Sequence, residues 1–196
     1  PTTAQHVIDE FGPPGEGPLA AVLDGGQSDV GIESTIIDLT RLDTPGPVLL
    51  RPGQISAAQI AEVLGRMPAM PDAAAPRVSG SLDAHYAPRT PVALASAAEL
   101  DWLMHRLDEA GRHYALMHRV VLVAPGRRMI ASKPMPDGAD AYAHQLYAGL
   151  REMDNAGAEL IIVECPPVDD AWQGINDRLR RAAFDSVGVL ERLLTN

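Results

Sequence analysis

The 196-residue sequence predicts an α/β protein, and three observations carry that reading. Continuous apolar runs such as "VVLV" (120–123) and "LIIV" (160–163) suit strands buried on both faces, as in a parallel sheet covered by helices. Between such runs lie stretches in which apolar residues return every three or four positions, the period of a helix with one buried face. A segment rich in proline and alanine, residues 67–90, separates two such blocks. The expected organisation is therefore an α/β block at 1–66, a linker at 67–90, and a small Rossmann-like α/β/α unit with a mainly parallel sheet at 91–196.

Taken in order, "PTTAQHVIDEFG" opens with Thr2 followed three residues later by Gln5, a capping-box pattern, and closes at Gly12. "LAAVLDGG" (19–26) and "STIIDLT" (34–40) read as strands, the first ending in a Gly25-Gly26 turn. "VLLRPG" (48–53) is a further strand that stops at an arginine, a proline and a glycine. In "SAAQIAEVLG" Ser56 and Gln59 repeat the capping box, with Gly65 as the stop. The linker holds four prolines, yet it also holds His85 next to Tyr86, an imidazole and a phenol that a plain spacer does not need. Beyond it come a strand at "PVALA" (91–95), a helix at "AAELDWLMHRLDEAG" and a strand at "RVVLVAPG" (119–126). A Pro/Gly-rich loop follows, then the helix "ADAYAHQLYAGLREMDNAG", the strand "ELIIVECPP" and one last helix through "WQGINDRLRRAAFDSVGVLERLL". Tyr142, Leu146, Leu150 and Met153 form the apolar face of the middle helix.

Composition narrows the function. With 46% hydrophobic residues the chain can fill a core, and no apolar run approaches the roughly 18 residues of a membrane span. No basic segment precedes an apolar stretch at the start, so a cytosolic location is expected. A formal net charge of −10 opposes generic attraction to a polyanion. The single cysteine, Cys165, excludes an internal disulfide and a cysteine-rich zinc cage, and its place after "LIIVE" suggests burial as a small hydrophobe rather than a nucleophile. A start at Pro1, already inside a helix-opening pattern, suggests that an upstream segment is missing.

Several familiar chemistries are absent. The sequence contains no G-x-G-x-x-G, no P-loop and no G-x-S-x-G, and its six histidines show no H-x-x-x-H spacing. "GGQSDVGIESTIIDLT" is more informative: Glu33, Ser34 and Thr35 place a carboxylate and two hydroxyls at a strand start, behind glycines that allow close backbone approach. These groups either hydrogen-bond a small polar ligand or satisfy the backbone of a glycine hairpin. Arg51 either aims its planar fork at phosphate or carboxylate oxygens, with Gly53 letting the backbone come close, or makes a surface ion pair at a strand end.

In this order and spacing, "PTTAQHV", "GIESTIIDL", "LLRPGQI", "HYAPRTPV" and "WQGINDRLRRAA" resemble the two-domain YrdC-type threonylcarbamoyl-AMP synthases over nearly the whole chain. The resemblance implies that residues 1–66 are the C-terminal portion of a YrdC-like α/β domain. It implies an enzyme that uses ATP, L-threonine and bicarbonate to make threonylcarbamoyl-AMP and pyrophosphate, with Mg2+ on the triphosphate, for the tRNA-modification machinery downstream. By the same resemblance, Ser34 and Thr35 line the nucleotide and threonine cavity, Arg51 holds phosphate oxygens, Gly53 lets the chain turn beside the ligand, and His85 and Tyr86 cross the cavity mouth. The stretch before His85, "SGSLDA", departs from the family's "PGM"-like approach, and the family's amino-terminal half is missing, so the chain by itself is expected to be inactive. An RNA-binding module without catalysis and a carbamoyl transferase relative are the alternatives.

Overall fold

The computed structural model of the chain describes residues 1–79, 87–119, 125–186 and 188–195. Its amino-terminal segment contains helix α1 (Ala4–Phe11), strands β1 (Ile36–Asp38) and β2 (Val48–Arg51), and helix α2 (Ala57–Leu64). The cap of α1 is Thr3, whose hydroxyl accepts from the His6 N–H, one residue later than the Thr2–Gln5 pattern predicts. Thr2 is instead buried, with its N–H and its hydroxyl each 3.2 Å from His6 Nδ1. α2 matches its sequence signals closely. Ser56 and Gln59 form a reciprocal capping box, and Gly65 ends the helix in the left-handed conformation at φ 70°, a geometry that glycine adopts without penalty.

β1 and β2 pair antiparallel, and the connector adds a short parallel bridge when Ala69 sits beside Val48. The expected strand at 19–26 does not form. That stretch is irregular and Leu23 is 94% exposed, because no ladder partner lies beside it among the described residues. Neither α1 nor α2 buries a residue, so this segment has little core of its own.

The second unit is a parallel sheet in the order β3–β6–β4–β5, built from β3 (Val92–Ala95), β4 (Tyr114–His118), β5 (Met129–Pro134) and β6 (Leu160–Glu164). Three corrections to the sequence reading lie here. The strand before residue 119 runs Tyr114–His118, and residues 120–124 of the expected run lie outside the described residues. β5 occupies ground read as loop: it is an edge strand whose residues alternate between half-buried and exposed, so it offers no continuous apolar run. Helices α3 (Ala97–Glu109), α4 (Ala139–Asp154), α5 (Gln173–Ala182) and α6 (Val189–Thr195) cover the sheet. The single last helix expected from 172 is broken into α5 and α6 by a 3-10 turn at Phe184–Ser186 and by Gly188 at φ 79°.

The pleat divides the core in two. Ala115, Met117, Ile161 and Val163 pack with Tyr142, Leu146 and Leu150 of α4 and with Ile175 and Leu179 of α5. Tyr114, Leu116, Leu160 and Ile162 face the opposite way, onto Leu100, Leu103 and Leu107 of α3, with Leu190 and Leu193 of α6 at the margin. Ile32 of the amino-terminal segment belongs to the first cluster and is 8% exposed. Next to it Gly31, at φ 82°, lies so close to the α4 backbone at Ala143 and His144 that a Cβ would clash. Gly31 and Ile32 thus help join the two parts of the chain. Among the described residues no helix is long and apolar enough to cross a membrane.

Candidate active site

The loop entering β1 and the end of β2 lie side by side. Arg51, only 6% exposed, donates from Nε and Nη2 to the Ser34 carbonyl at 3.1 and 3.0 Å, and from Nη1 to the Ser79 carbonyl at 2.8 Å. It therefore forms no surface ion pair among the described residues; it ties the β1 loop to the connector just before residue 80. Ser34 is exposed, and Thr35 donates its hydroxyl to the Ile55 carbonyl at 2.7 Å. Gly53 is buried against the backbone of residues 33–35, where a Cβ would stand 2.7 Å from the Glu33 carbonyl oxygen. Ser34, Thr35, Arg51 and Gly53 are thus brought together. His85 and Tyr86 lie outside the described residues.

Three further residues join this arrangement. Arg178 of α5 is fully buried and reaches across to the amino-terminal segment. Its Nε donates to Glu33 Oε2 at 3.1 Å, its Nη2 to the Glu33 carbonyl at 3.2 Å, and its Nη1 to the Pro52 carbonyl. Tyr147 of α4 donates its hydroxyl to the same Glu33 oxygen at 2.8 Å. Behind them Gly174 rests on Gly53, leaving 2.6 Å between an added Cβ and the Gly53 oxygen. Glu33 was legible as a carboxylate beside Ser34, whereas Tyr147 and Arg178 were not singled out. The signal for Arg178 was its spacing: it shares a helix face with Ile175, Leu179 and Ala182, all buried, while the side chain of Arg180 is 72% exposed.

Glu33 and Tyr147 also line an open cavity of about 1210 Å3 between α1 and α4. His6 and Asp9 of α1, Arg151 of α4 and Pro88 of the connector complete its walls. Burial, reinforced by the nearby Arg151 charge, lowers the His6 pKa and favours the neutral ring. The connector is anchored here by Asp154, which accepts from the Thr90 N–H at 2.8 Å and the Arg89 N–H at 3.3 Å. Ser34, Thr35, Arg51 and Gly53 are not among the cavity's lining residues. No group of three or more His, Cys, Asp or Glu among the described residues could hold a metal ion. Cys165 is exposed rather than buried, because the chain leaves the core where β6 ends. Partial desolvation, then Glu99 and Glu164, push its thiol pKa up, which disfavours a nucleophilic thiolate.

Comparison with known proteins fits this geometry. The threonylcarbamoyl-AMP synthase of Pyrococcus abyssi (strain GE5 / Orsay) is 29% identical over 190 residues, covering 93% of this chain and 54% of that protein. The Bacillus subtilis (strain 168) protein of the same name is 29% identical over 195 residues, covering 93% and 53%. A crystal structure of Pyrococcus abyssi Sua5 complexed with L-threonine superposes with a TM-score of 0.78 at 27% identity, over 93% of this chain and 54% of that one. A Sua5 variant from the same organism, with an adjacent histidine and tyrosine both changed to alanine, gives 0.71 at 26% identity, over 93% and 53%. The chain therefore spans about half the length of the curated relatives it matches. Residues 55–184, well over half the chain, match the family model described as threonylcarbamoyl-AMP synthase, C-terminal domain, and the chain belongs to that family.

Proposed function

We propose that this chain is part of a threonylcarbamoyl-AMP synthase, with residues 1–66 contributing one wall of the substrate site, 67–90 a linker, and 91–196 the second domain that holds that wall in place. In this reaction the amine of L-threonine captures carbon dioxide from bicarbonate. One oxygen of the resulting carbamate attacks the α-phosphorus of ATP and pyrophosphate leaves, giving a threonylcarbamoyl-adenylate for tRNA modification in the cytoplasm. Such chemistry depends on positioning and on neutralising phosphate charge more than on a protein nucleophile.

The observation that carries the proposal is the bracing of the Ser34 and Arg51 loops against each other, with the Ser34 side chain left exposed. Ser34 and Thr35 are assigned to the nucleotide and threonine surface, and Arg51 to its charge. Among the described residues, three of the five N–H donors of Arg51 are taken by carbonyls, so it acts on a phosphate through its remaining edge and its field. His85 and Tyr86 are assigned to the cavity mouth; an adjacent histidine and tyrosine are the residues that were changed to alanine in one of the solved relatives. Mg2+ is assigned to the oxygens of the triphosphate, where a hard cation takes oxygen ligands from substrate phosphates.

Pyrophosphate release by the full-length protein tests the proposal. Release is expected with ATP, L-threonine and bicarbonate together and to stop when threonine or bicarbonate is left out. Release that ignores threonine would refute it. The 196 residues alone are expected to be silent, since relatives of the same name are about twice as long.

A further inference from the structure

We propose that Arg178 is a positioning residue of the synthase reaction: from α5 it clamps the loops 33–35 and 51–53 in the geometry that receives substrate. This inference rests on the function proposed above and adds a task for the second domain. Burying a guanidinium is expensive unless its donors are matched, and a leucine would fill the same space without that penalty. The matching here is mostly across the joint. Arg178 serves the carboxylate and carbonyl of Glu33 and the carbonyl of Pro52; on its own helix it makes one longer bond, 3.3 Å, to the Gly174 carbonyl, and its Nη1 lies 3.7 Å from the buried Asp177 carboxylate.

The pattern is specific to the loops rather than to the sheet. Consecutive carbonyls, Glu33 and Ser34, are gripped by two different arginines, Arg178 from α5 and Arg51 from β2. Arg178 also holds Pro52, the residue after Arg51, so both loops are cross-braced through one planar fork. Tyr147 donates to the same Glu33 carboxylate oxygen that Arg178 Nε holds, and the Gly53–Gly174 contact packs the two backbones closely. A lysine can keep the charge but cannot span these acceptors, because its ammonium is a point on a flexible stem.

The test compares Arg178→Lys and Gly174→Ala with Arg106→Gln, a half-exposed arginine on α3, in the full-length protein. Hydrogen exchange and the steady-state kinetics of pyrophosphate release are read together. Both joint variants should speed exchange at residues 33–35 and 51–53 while β3, β4 and β6 stay protected. They should also lower kcat/KM at least about tenfold with a raised KM for L-threonine, the scale expected of small misplacements. A smaller folded fraction cannot raise KM. Arg106→Gln should match the wild type. Tyr147→Phe, which removes one hydroxyl and no charge, covers the case in which the joint variants fail to fold and should lose about threefold to tenfold in kcat/KM. Unchanged kinetics in the folded variants would overturn the positioning role. A wild-type protein without threonine-dependent release would instead refute the synthase reading itself, and this inference with it.

Discussion

Arg51 is held on both sides of its guanidinium, by the Ser34 carbonyl and by the Ser79 carbonyl, and this determines what its removal does. Arg51→Ala leaves those acceptors without donors, so unfolding by denaturant should show a loss of about 1 to 3 kcal/mol. In the full-length protein the same change should weaken transition-state stabilisation by about 2 to 4 kcal/mol, read as kcat/KM. Asp154 gives a pH-dependent counterpart at the other end of the connector. Burial raises the pKa of its carboxyl, but the Thr90 and Arg89 N–H donors and the Arg89 charge outweigh that, and the group titrates below its usual 3.8. A carboxyl depressed in the folded state adds stability that is complete above the unfolded value. That contribution is lost as pH falls from there through the lower folded value. Stability measured from pH 6 downward should therefore fall less steeply below about pH 4 in Asp154→Asn than in the wild type. At this scale the sequence showed residue types but not partners. Ser34 and Arg51 were visible as polar groups at strand ends, whereas nothing local announces that Arg178 is 145 positions from Glu33 and yet bonded to it.

Elements were legible wherever local chemistry alone decides them. α2 carries its start and stop in Ser56, Gln59 and Gly65, and it forms within those bounds although it buries nothing. Ser56→Ala should consequently destabilise this helix by about 1 kcal/mol, seen as faster amide exchange in its first turn. The two-sided strand β6 was equally plain, since all five of its residues are buried. Elements defined by their neighbours were not. β5 is a strand because β4 offers it a ladder, and residues 19–26 are irregular with no ladder partner among the described residues. The last helix breaks between Ala182 and Val189, where a 3-10 turn and the positive φ of Gly188 are features a periodicity argument cannot see. The cap of α1 moved from Thr2 to Thr3 because His6 provides a better use for Thr2.

Across the whole molecule, the core lies in the four-stranded unit and the candidate chemistry lies in a segment with little core of its own. Stability should be distributed accordingly: amides of β4 and β6 should exchange slowest, and those of α1 and α2 at least about a hundredfold faster, by native-state hydrogen exchange. The segment that carries Ser34 and Arg51 is then as ordered as its attachment at Gly31, Ile32, Glu33 and Gly53 permits. The most direct check on this account is threonine-dependent pyrophosphate release by the full-length protein, wild type against a variant with Ser34→Ala and Thr35→Ala together. The account predicts release in the wild type and a loss of about a hundredfold or more in the variant; equal release in both would contradict it.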